Sequence, residues 1–405
     1  MHLFIRPVLI LIAAVSLLQA QVDSQWRGPN RDGIYPNENL LKSWPAGGPA
    51  EIWSAGNLGA GYSSPAVTSD RVYVTGMIRG EGLLFAFDHS GSMLWKTTYG
   101  PEWDGGHEGA RTTPTVVGDK IYLFSAHGRA VCLSTAGKVL WSVDTFAEFG
   151  GRNLNWGITE SLLVDGDRLF CTPGGPNVTI AILDRHTGRT LKTLKGNGEL
   201  SGYCSPMMAH HGDRRLLLTM TGKSVAGFDA DSGEFLWHAR HITQYDINPN
   251  TPIVHDGWVF ANSGYGTGCQ MFRLSPDGSS VKKVWDNEQG DSQMAAAVLV
   301  DGYIYTSGHS NRAWACLEWT TGATRWTSRE LFGKGPIIFS DGMLVLYSEK
   351  GDVALVRPDP DEFDVISSFE IDRGSGPHWA HPVINDGRLY VRHGDVLMVY
   401  DIAAS

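Results

Sequence analysis

Short apolar segments recur along the whole chain and are separated by turns rich in glycine and aspartate. In Val72-Tyr73-Val74 and Ile121-Tyr122-Leu123, as in most of them, β-branched and aromatic residues follow one another without helical spacing, which is typical of strands. A pairing of aspartate with glycine, a strong signal for a β-hairpin turn, recurs between the segments. Such pairs occur at Gly118-Asp119, Asp165-Gly166, Asp256-Gly257, Asp301-Gly302, Asp341-Gly342 and Asp386-Gly387. The pattern predicts short antiparallel strands throughout and excludes a helical bundle.

Two unrelated markers repeat with the same period. Tryptophans that end an apolar segment are Trp53, Trp95, Trp141, Trp237, Trp285 and Trp326. Their separations are 42, 46, 96, 48 and 41 residues, so that one tryptophan is missing near Leu191. A proline that opens a strand recurs at Pro65, Pro114, Pro206, Pro252, Pro336 and Pro382, with degenerate copies at Leu162 and Ala297. Four short strands repeated about every 45 residues are the signature of a β-propeller.

Eight copies of the first strand predict an all-β fold with eight blades, each a four-stranded antiparallel sheet. The last copy begins at Pro382 and ends at Asp401, after its third strand. A spare fourth strand, Glu51-Ile52-Trp53, lies near the start of the chain. We therefore expect the N-terminal strand to complete the eighth blade and close the ring, which would remove its free edges. Residues 21–405 are predicted to form a single domain.

The first twenty residues are predicted to be a signal peptide. Arg6 precedes an apolar stretch from Val8 to Leu18, and Ala20 supplies a small residue at the predicted cleavage site. The stretch is too short to span a bilayer, and no later segment is long enough to do so. No cysteine lies near the cleavage point. We therefore expect a periplasmic or secreted protein that is neither membrane-spanning nor a lipoprotein.

Composition argues against certain partners and against disulfide bonds as the main support of the fold. A net charge of −10 argues against nucleic acid as a partner. The chain has 49 glycines and 14 tryptophans but only 19% charged residues, as expected for many tight turns and large packed rings. Five cysteines are too few, and odd in number, for a disulfide scaffold. A single bridge between Cys204 and Cys269 remains open.

Two sequence features resemble a known family. The unit from Ala86 to Trp95 recurs from Gly227 to Trp237, with Phe-Asp, a glycine turn and a final tryptophan in both copies. The segment Gln25-Trp26-Arg27-Gly28-Pro29-Asn30-Arg31-Asp32-Gly33 is similar to the opening of many exported repeat proteins. The chain resembles the pyrroloquinoline-quinone (PQQ)-like eight-bladed propellers, a family related to outer-membrane assembly propellers and to quinoprotein alcohol dehydrogenases. In that family the repeated tryptophan packs between blades.

Loops on one face of such a ring vary in length and are the expected place for a site. Alignment of the blades on the proline position brings candidates to the mouth of the central channel. They are Arg111, Glu160, Asn250, Lys334 and His381, with Tyr203, Trp156 and Trp379 as aromatic neighbours. Loops between the second and third strands add His127, Arg129, Tyr265, His309, Arg312, Glu349 and Arg392. The alternative is a merely structural polar channel, in which Arg111 pairs with Glu160. No metal site is expected, because His378 and His381 lack a third ligand.

Three functions remain open. The resemblance implies that a dehydrogenase of this family would hold PQQ and calcium, with Glu160 and Asn250 as calcium ligands and Trp379 beneath the quinone. The sequence lacks the adjacent cysteine pair of some members and a well-placed base aspartate. We therefore rank first a non-enzymatic binding or protein-interaction scaffold in the bacterial envelope, with an unknown small polar ligand or envelope protein as partner. The alternatives are a quinoprotein alcohol or sugar dehydrogenase and a carbohydrate-binding propeller. A monomer is expected.

Overall fold

The structure is a computed structural model that describes residues 22–404, so that the predicted signal peptide, residues 1–20, lies outside the described part of the chain. Two strands precede the blades: β1 (Ile34–Tyr35) and β2 (Glu51–Ala55). Eight antiparallel sheets of four blade strands then form a ring, which confirms the predicted eight-bladed β-propeller. Short helices occur only between strands within residues 22–404: α1 (Thr145–Phe149) and a 3-10 turn (Glu288–Gly290).

The blade strands follow one another in chain order from the axis outward. Blade one has β3 (Ala66–Val67), β4 (Val72–Ile78), β5 (Glu81–Phe87) and β6 (Met93–Pro101). Blade two has β7 (Thr115–Val117), β8 (Lys120–Phe124), β9 (Arg129–Ser134) and β10 (Val139–Asp144). Blade three has β11 (Leu163–Asp165), β12 (Arg168–Cys171), β13 (Ile180–Asp184) and β14 (Thr190–Leu194). Blade four has β15 (Met207–His211), β16 (Arg214–Met220), β17 (Ser224–Asp229) and β18 (Phe235–Arg240).

The second half of the ring repeats the arrangement. Blade five has β19 (Ile253–His255), β20 (Trp258–Ser263), β21 (Gly268–Leu274) and β22 (Val281–Asn287). Blade six has β23 (Ala297–Val300), β24 (Tyr303–Ser307), β25 (Trp314–Glu318) and β26 (Thr324–Ser328). Blade seven has β27 (Ile337–Ser340), β28 (Met343–Tyr347), β29 (Asp352–Arg357) and β30 (Asp364–Glu370). Blade eight has β31 (Val383–Asn385), β32 (Arg388–His393) and β33 (Val396–Asp401).

The outer strand of blade eight comes from near the start of the chain. β2 pairs antiparallel with β33, and Trp53 lies opposite Val399. A continuous apolar cluster joins this blade to both of its neighbours, since it includes Tyr347 of blade seven, Tyr390 of blade eight and Val74 of blade one. Burial of these side chains between blades stabilises the ring.

The repeated tryptophans connect neighbouring blades. Each lies in an outer strand, and its Nε1–H donates to a backbone carbonyl in the turn before the outer strand of the next blade. The pairs are Trp53 to His89, Trp95 to Thr135, Trp141 to Arg185, Trp237 to Gly278, Trp285 to Trp319 and Trp326 to Asp359. Gly91 has a φ of 86°, and a Cβ there would lie 2.7 Å from the Trp53 ring. Trp53 and Trp237 are buried, whereas the other four are half-buried at blade edges rather than in the core.

The backbone at the hairpin turns and the state of the cysteines can both be compared with the sequence expectations. Asp256, Asp301, Asp341 and Asp386 have φ values of 47° to 49°, as hairpin turns with an Asp-Gly pair require. All five cysteines are free and buried, so the bridge between Cys204 and Cys269 that the sequence left open is not formed. Within residues 22–404, no helix has both the length and the apolar character needed to cross a bilayer.

Candidate functional site

A cavity of about 750 Å³ opens on the face of the variable loops, at the mouth of the central channel. Loops of all eight blades contribute to its wall, from Tyr62 at blade one to Trp379 at blade eight. Its size is within the range of about 300–1,000 Å³ that is usual for small-molecule sites. The cavity is therefore the candidate functional site.

The segment of residues 24–33, which the sequence identified only as a family-like opening, connects blades two and six beneath the cavity. We call it the plug. Ser24 bonds to Val116 of blade two and to Val67 of blade one. Behind the plug, β1 pairs in parallel with β27 of blade seven. Trp26 of the plug lines the cavity.

Two buried arginines fix the plug by donating to backbone carbonyls. Arg27 donates to Ala295 and Ala297 of blade six, at 3.3 and 2.6 Å. Arg31 donates to Ser161 and Pro206, at 2.9 Å each. Burial lowers the pKa of both guanidinium groups to about 10, which still leaves them charged at neutral pH. The inner strands lie too far apart across the axis to pair with one another. The two arginines of the plug supply donors to backbone carbonyls there that would otherwise lack them.

Gly33 is required for the position of Arg27. Its φ is 83°, and a Cβ on it would lie 2.4 Å from the Arg27 Nη2 atom. A side chain at this position would displace the guanidinium from its carbonyl partners.

His381 lies where the plug meets the wall, and its tautomer is fixed by its partners. Nε2 lies 2.9 Å from the carbonyl of Met294, so that Nε2 carries the proton. Nδ1 lies 3.3 Å from the Arg27 Nη1 atom and accepts its hydrogen bond. Burial, together with the neighbouring Arg27, lowers the pKa of His381 to about 3. The imidazole is therefore neutral, and it packs edge-on against Trp26 at 4.5 Å.

The structure brings together six of the eight predicted mouth residues. Arg111, Trp156, Tyr203, Lys334, Trp379 and His381 all line the cavity. Four residues of the loops between second and third strands also line it: Tyr265, His309, Arg312 and Glu349. His127, Arg129 and Arg392 lie outside the lining, and Arg392 is fully buried against Ser63 and Thr75.

The predicted place of Glu160 and Asn250 at the channel mouth is corrected by the structure. Both residues lie within the wall and are not among those that line the cavity. Glu160 is buried and accepts from the Thr172 amide at 3.0 Å, and burial raises its pKa to about 8. Asn250 donates to the carbonyl of Ser292 and accepts from the amide of Ala296. The suggested pair of Arg111 with Glu160 is not formed. A blade alignment gives the height of a residue along the axis but not the direction of its side chain.

The lining is unusually basic for an acidic protein. It contains four basic residues, Arg111, Arg312, Lys334 and Lys350, and one acidic residue, Glu349. Lys334 donates to Glu349 at 2.7 Å, and these two charges cancel. Burial opposes ionisation of Glu349, but hydrogen bonds from Lys334 and Trp379 outweigh it and lower the pKa of this carboxyl. Three positive charges remain without a carboxylate partner in the lining, so the cavity favours an anion.

Aromatic rings form most of the remaining wall. Trp379 lies 5.0 Å from Tyr62 and 4.8 Å from His107, measured between ring centroids. On the other side of the mouth, Tyr265 lies 4.6 Å from His309 and 5.2 Å from Tyr245. These surfaces suit the apolar or ring-shaped part of a ligand.

Tyr203 presents a proton to the cavity. Its hydroxyl oxygen accepts from the amides of Asn155 and Trp156, at 3.0 and 3.1 Å, which occupies both lone pairs. The hydroxyl proton is then available as a donor. Tyr203 has a φ of 74°, a strained conformation for an aromatic residue.

Four further lining residues have φ values between 46° and 64°. They are His107, Tyr265, Arg312 and Phe332. Backbone strain of this kind concentrates at ligand sites, because the surrounding structure must hold side chains in one position.

The wall does not provide the ligands that calcium and PQQ would need together. Calcium takes six to eight oxygen ligands, usually with several carboxylates. The candidate ligands Glu160 and Asn250 face away and are used by the backbone, and Glu349 is held by Lys334. Within residues 22–404, no three His, Cys, Asp or Glu side chains are grouped to hold a metal ion. The donor set therefore does not fit a calcium-bound quinone.

Fold and cavity together define an eight-bladed β-propeller with a small-molecule-sized cavity on its loop face. The family model described as outer membrane protein assembly factor BamB matches residues 80–293 and 282–363. Because these ranges include more than half of the chain, the protein belongs to this family of PQQ-like propellers. No curated protein matches the chain significantly.

Solved structures with a similar fold include an assembly factor and two alcohol dehydrogenases. BamB from Moraxella catarrhalis is 15% identical with a TM-score of 0.61, covering 87% of this chain and 97% of that one. The quinohemoprotein alcohol dehydrogenase from Comamonas testosteroni is 12% identical with a TM-score of 0.66, covering 95% and 81%. A europium-containing methanol dehydrogenase is 12% identical with a TM-score of 0.65, covering 92% and 90%. At these identities the likeness shows the fold alone.

Proposed function

We propose that this protein is an exported binding protein of the bacterial envelope that holds a small organic anion in the loop-face cavity. The observation that carries the proposal is the charge of the lining, where Arg111, Arg312 and Lys350 form no ion pair with a carboxylate in the described part of the chain. In a protein with a net charge of −10, such a concentration of positive charge is selective for anions. The envelope location rests on the predicted signal peptide.

A binding role is supported over a quinoprotein dehydrogenase by the donor set. Among the described residues, the lining offers one carboxylate, Glu349, and that carboxylate is occupied by Lys334 and Trp379. A general base must be free to take a proton from the substrate. His381 does not fill this role, because both of its ring nitrogens are occupied. Of the two other histidines in the lining, His309 accepts from the Tyr265 amide and His107 packs against Trp379, and neither donates to a carboxylate in the described part of the chain.

The test is a ligand screen by thermal shift and isothermal titration calorimetry on the full mature protein. The panel contains aromatic and aliphatic carboxylates, neutral sugars, and PQQ with calcium. We expect carboxylates to bind, with an affinity that falls as salt concentration rises. Dye-linked oxidation of alcohols or sugars with PQQ and calcium would overturn the proposal, as would binding of neutral sugars only.

A matched pair of variants locates the site. Arg111→Gln removes a lining charge, whereas Arg189→Gln removes an exposed charge from a turn on the opposite face. The first should weaken binding of the tightest-binding carboxylate of the panel by about tenfold or more, the usual contribution of a charge-assisted hydrogen bond, and the second should leave it unchanged. Equal affinities of both variants and the wild type would place the binding site elsewhere.

A further inference from the structure

The unpaired basic residues of the cavity lie in two separate groups. Arg111 precedes β7 of blade two. Arg312 belongs to the loop between β24 and β25 of blade six, and Lys350 to the loop between β28 and β29 of blade seven. In a ring of eight blades, blade two lies across the axis from blades six and seven. The two groups therefore lie on opposite sides of the cavity.

The first group is built around Arg111. Its guanidinium lies over the ring of Tyr62, with Cζ 5.7 Å from the centroid. One N–H of the Arg111 guanidinium, at Nη2, donates to the carbonyl of His107. The buried N–H at Nε has no partner among residues 22–404. A buried N–H without a partner is unfavourable, and a hydrogen bond to an anion would remove this cost. The hydroxyl proton of Tyr203 is a further donor within the same lining.

The second group is built around Phe332. Arg312 lies over its ring with Cζ at 5.5 Å, and the Lys350 ammonium lies over it at 5.3 Å. Neither cation takes part in an ion pair within residues 22–404, where the nearby carboxylate, Glu349, is held by Lys334. Two like charges that share one ring repel each other. An anion between them would remove this repulsion.

We propose that the ligand is a dianion, with two acidic groups at opposite ends of an apolar or aromatic body that spans the mouth. One acidic group meets Arg111, the other meets Arg312 and Lys350, and the body lies between the aromatic rings on the two sides of the mouth, Trp379 and Tyr265. This inference rests on the proposed function and specifies the ligand class of the same cavity. A ligand with one acidic group satisfies only one of the two groups.

The experiment compares rigid diacids with matched monoacids by isothermal titration calorimetry on the full mature protein. The pairs are terephthalate with benzoate, and biphenyl dicarboxylate with biphenyl carboxylate. We expect one of the diacids to bind at least about tenfold more tightly than its monoacid. Binding of monoacids and diacids with equal affinity would overturn the dianion assignment but leave the proposed function intact. Failure of both series to bind would overturn both.

Variants give a second, independent readout. For the diacid, Arg111→Gln and Arg312→Gln should each lower the affinity to that of the monoacid. For the monoacid, each single variant should have less than about a twofold effect, since the other group remains. The triple variant Arg111→Gln/Arg312→Gln/Lys350→Gln removes both groups and should abolish binding. Arg189→Gln serves as the control for both ligands. If only one of the two arginines affects the diacid, the ligand does not span the cavity and the assignment is wrong.

Discussion

The plug should contribute a large part of the stability of the ring, and Arg27→Met tests this directly. Arg27 is 2% exposed, and its guanidinium donates to the carbonyls of Ala295, Ala297 and Asp32 and to Nδ1 of His381. Methionine has a similar length but no donor. The substitution therefore leaves three buried acceptors and the half-buried Asp32 carbonyl without their partner, while changing the packing volume little.

The magnitude follows from two opposing contributions. Three unsatisfied buried acceptors and one half-buried acceptor cost about 7 kcal/mol, at about 2 kcal/mol for each buried one. Burial lowers the pKa of Arg27 from 12.5 to about 10, so that keeping the charge inside the ring costs about 3 kcal/mol, which the variant recovers. The expected loss in free energy of unfolding is therefore about 4 kcal/mol.

Chemical denaturation followed by tryptophan fluorescence measures this loss, provided that unfolding is a single transition for both proteins. Arg189→Met is the control, because Arg189 is exposed and should change stability by less than about 0.5 kcal/mol. An Arg27→Met variant as stable as the wild type would refute the reasoning, since the plug would then lie in the channel without stabilising it.

Two further predictions concern the blade contacts and the response to pH. Trp237→Ala should cost about 3–5 kcal/mol in the same denaturation assay, because a buried ring and its hydrogen bond to Gly278 are lost; a neutral result would mean that the two blades do not depend on this contact. The pKa of His381 is about 3 in the fold, against an ordinary value near 6.5 when unfolded, so the unfolded chain binds the extra proton between these values. Stability should therefore fall as pH decreases below about 6.5, by about 1.4 kcal/mol per unit from this residue, and His381→Gln should flatten the profile; an unchanged slope would exclude His381 as its source.

The number of blades and their strand order could be predicted from the sequence because they depend on repetition. The tryptophan and proline periods agree, and each Asp-Gly pair fixes a hairpin locally. The missing tryptophan near Leu191 falls in β14, where Lys192 occupies the equivalent position opposite Ile182. Local signals of this kind need no knowledge of the tertiary structure.

The site was predicted less completely, because it depends on side-chain direction and on a segment without periodicity. Arg111 and Glu160 lie at neighbouring heights in the blade alignment, yet one lines the cavity and the other turns into the wall. The plug has no strand pattern of its own over residues 24–33, and its role follows from contacts with residues more than 100 positions away. The one available signal was a pair of arginines, Arg27 and Arg31, in a family-like opening outside the repeats.

The plug also decides what the central channel is able to do. Its residues bond to inner segments that belong to opposite sides of the ring, such as Ala297 of blade six and Val116 of blade two. Because the channel is crossed in this way, we expect a small molecule that enters the cavity from the loop face to leave by the same face. The floor formed by Trp26 and neutral His381 is uncharged, and the basic groups are all in the wall above it. A ligand anchored by its acidic groups therefore lies across the mouth, with its uncharged part toward the plug.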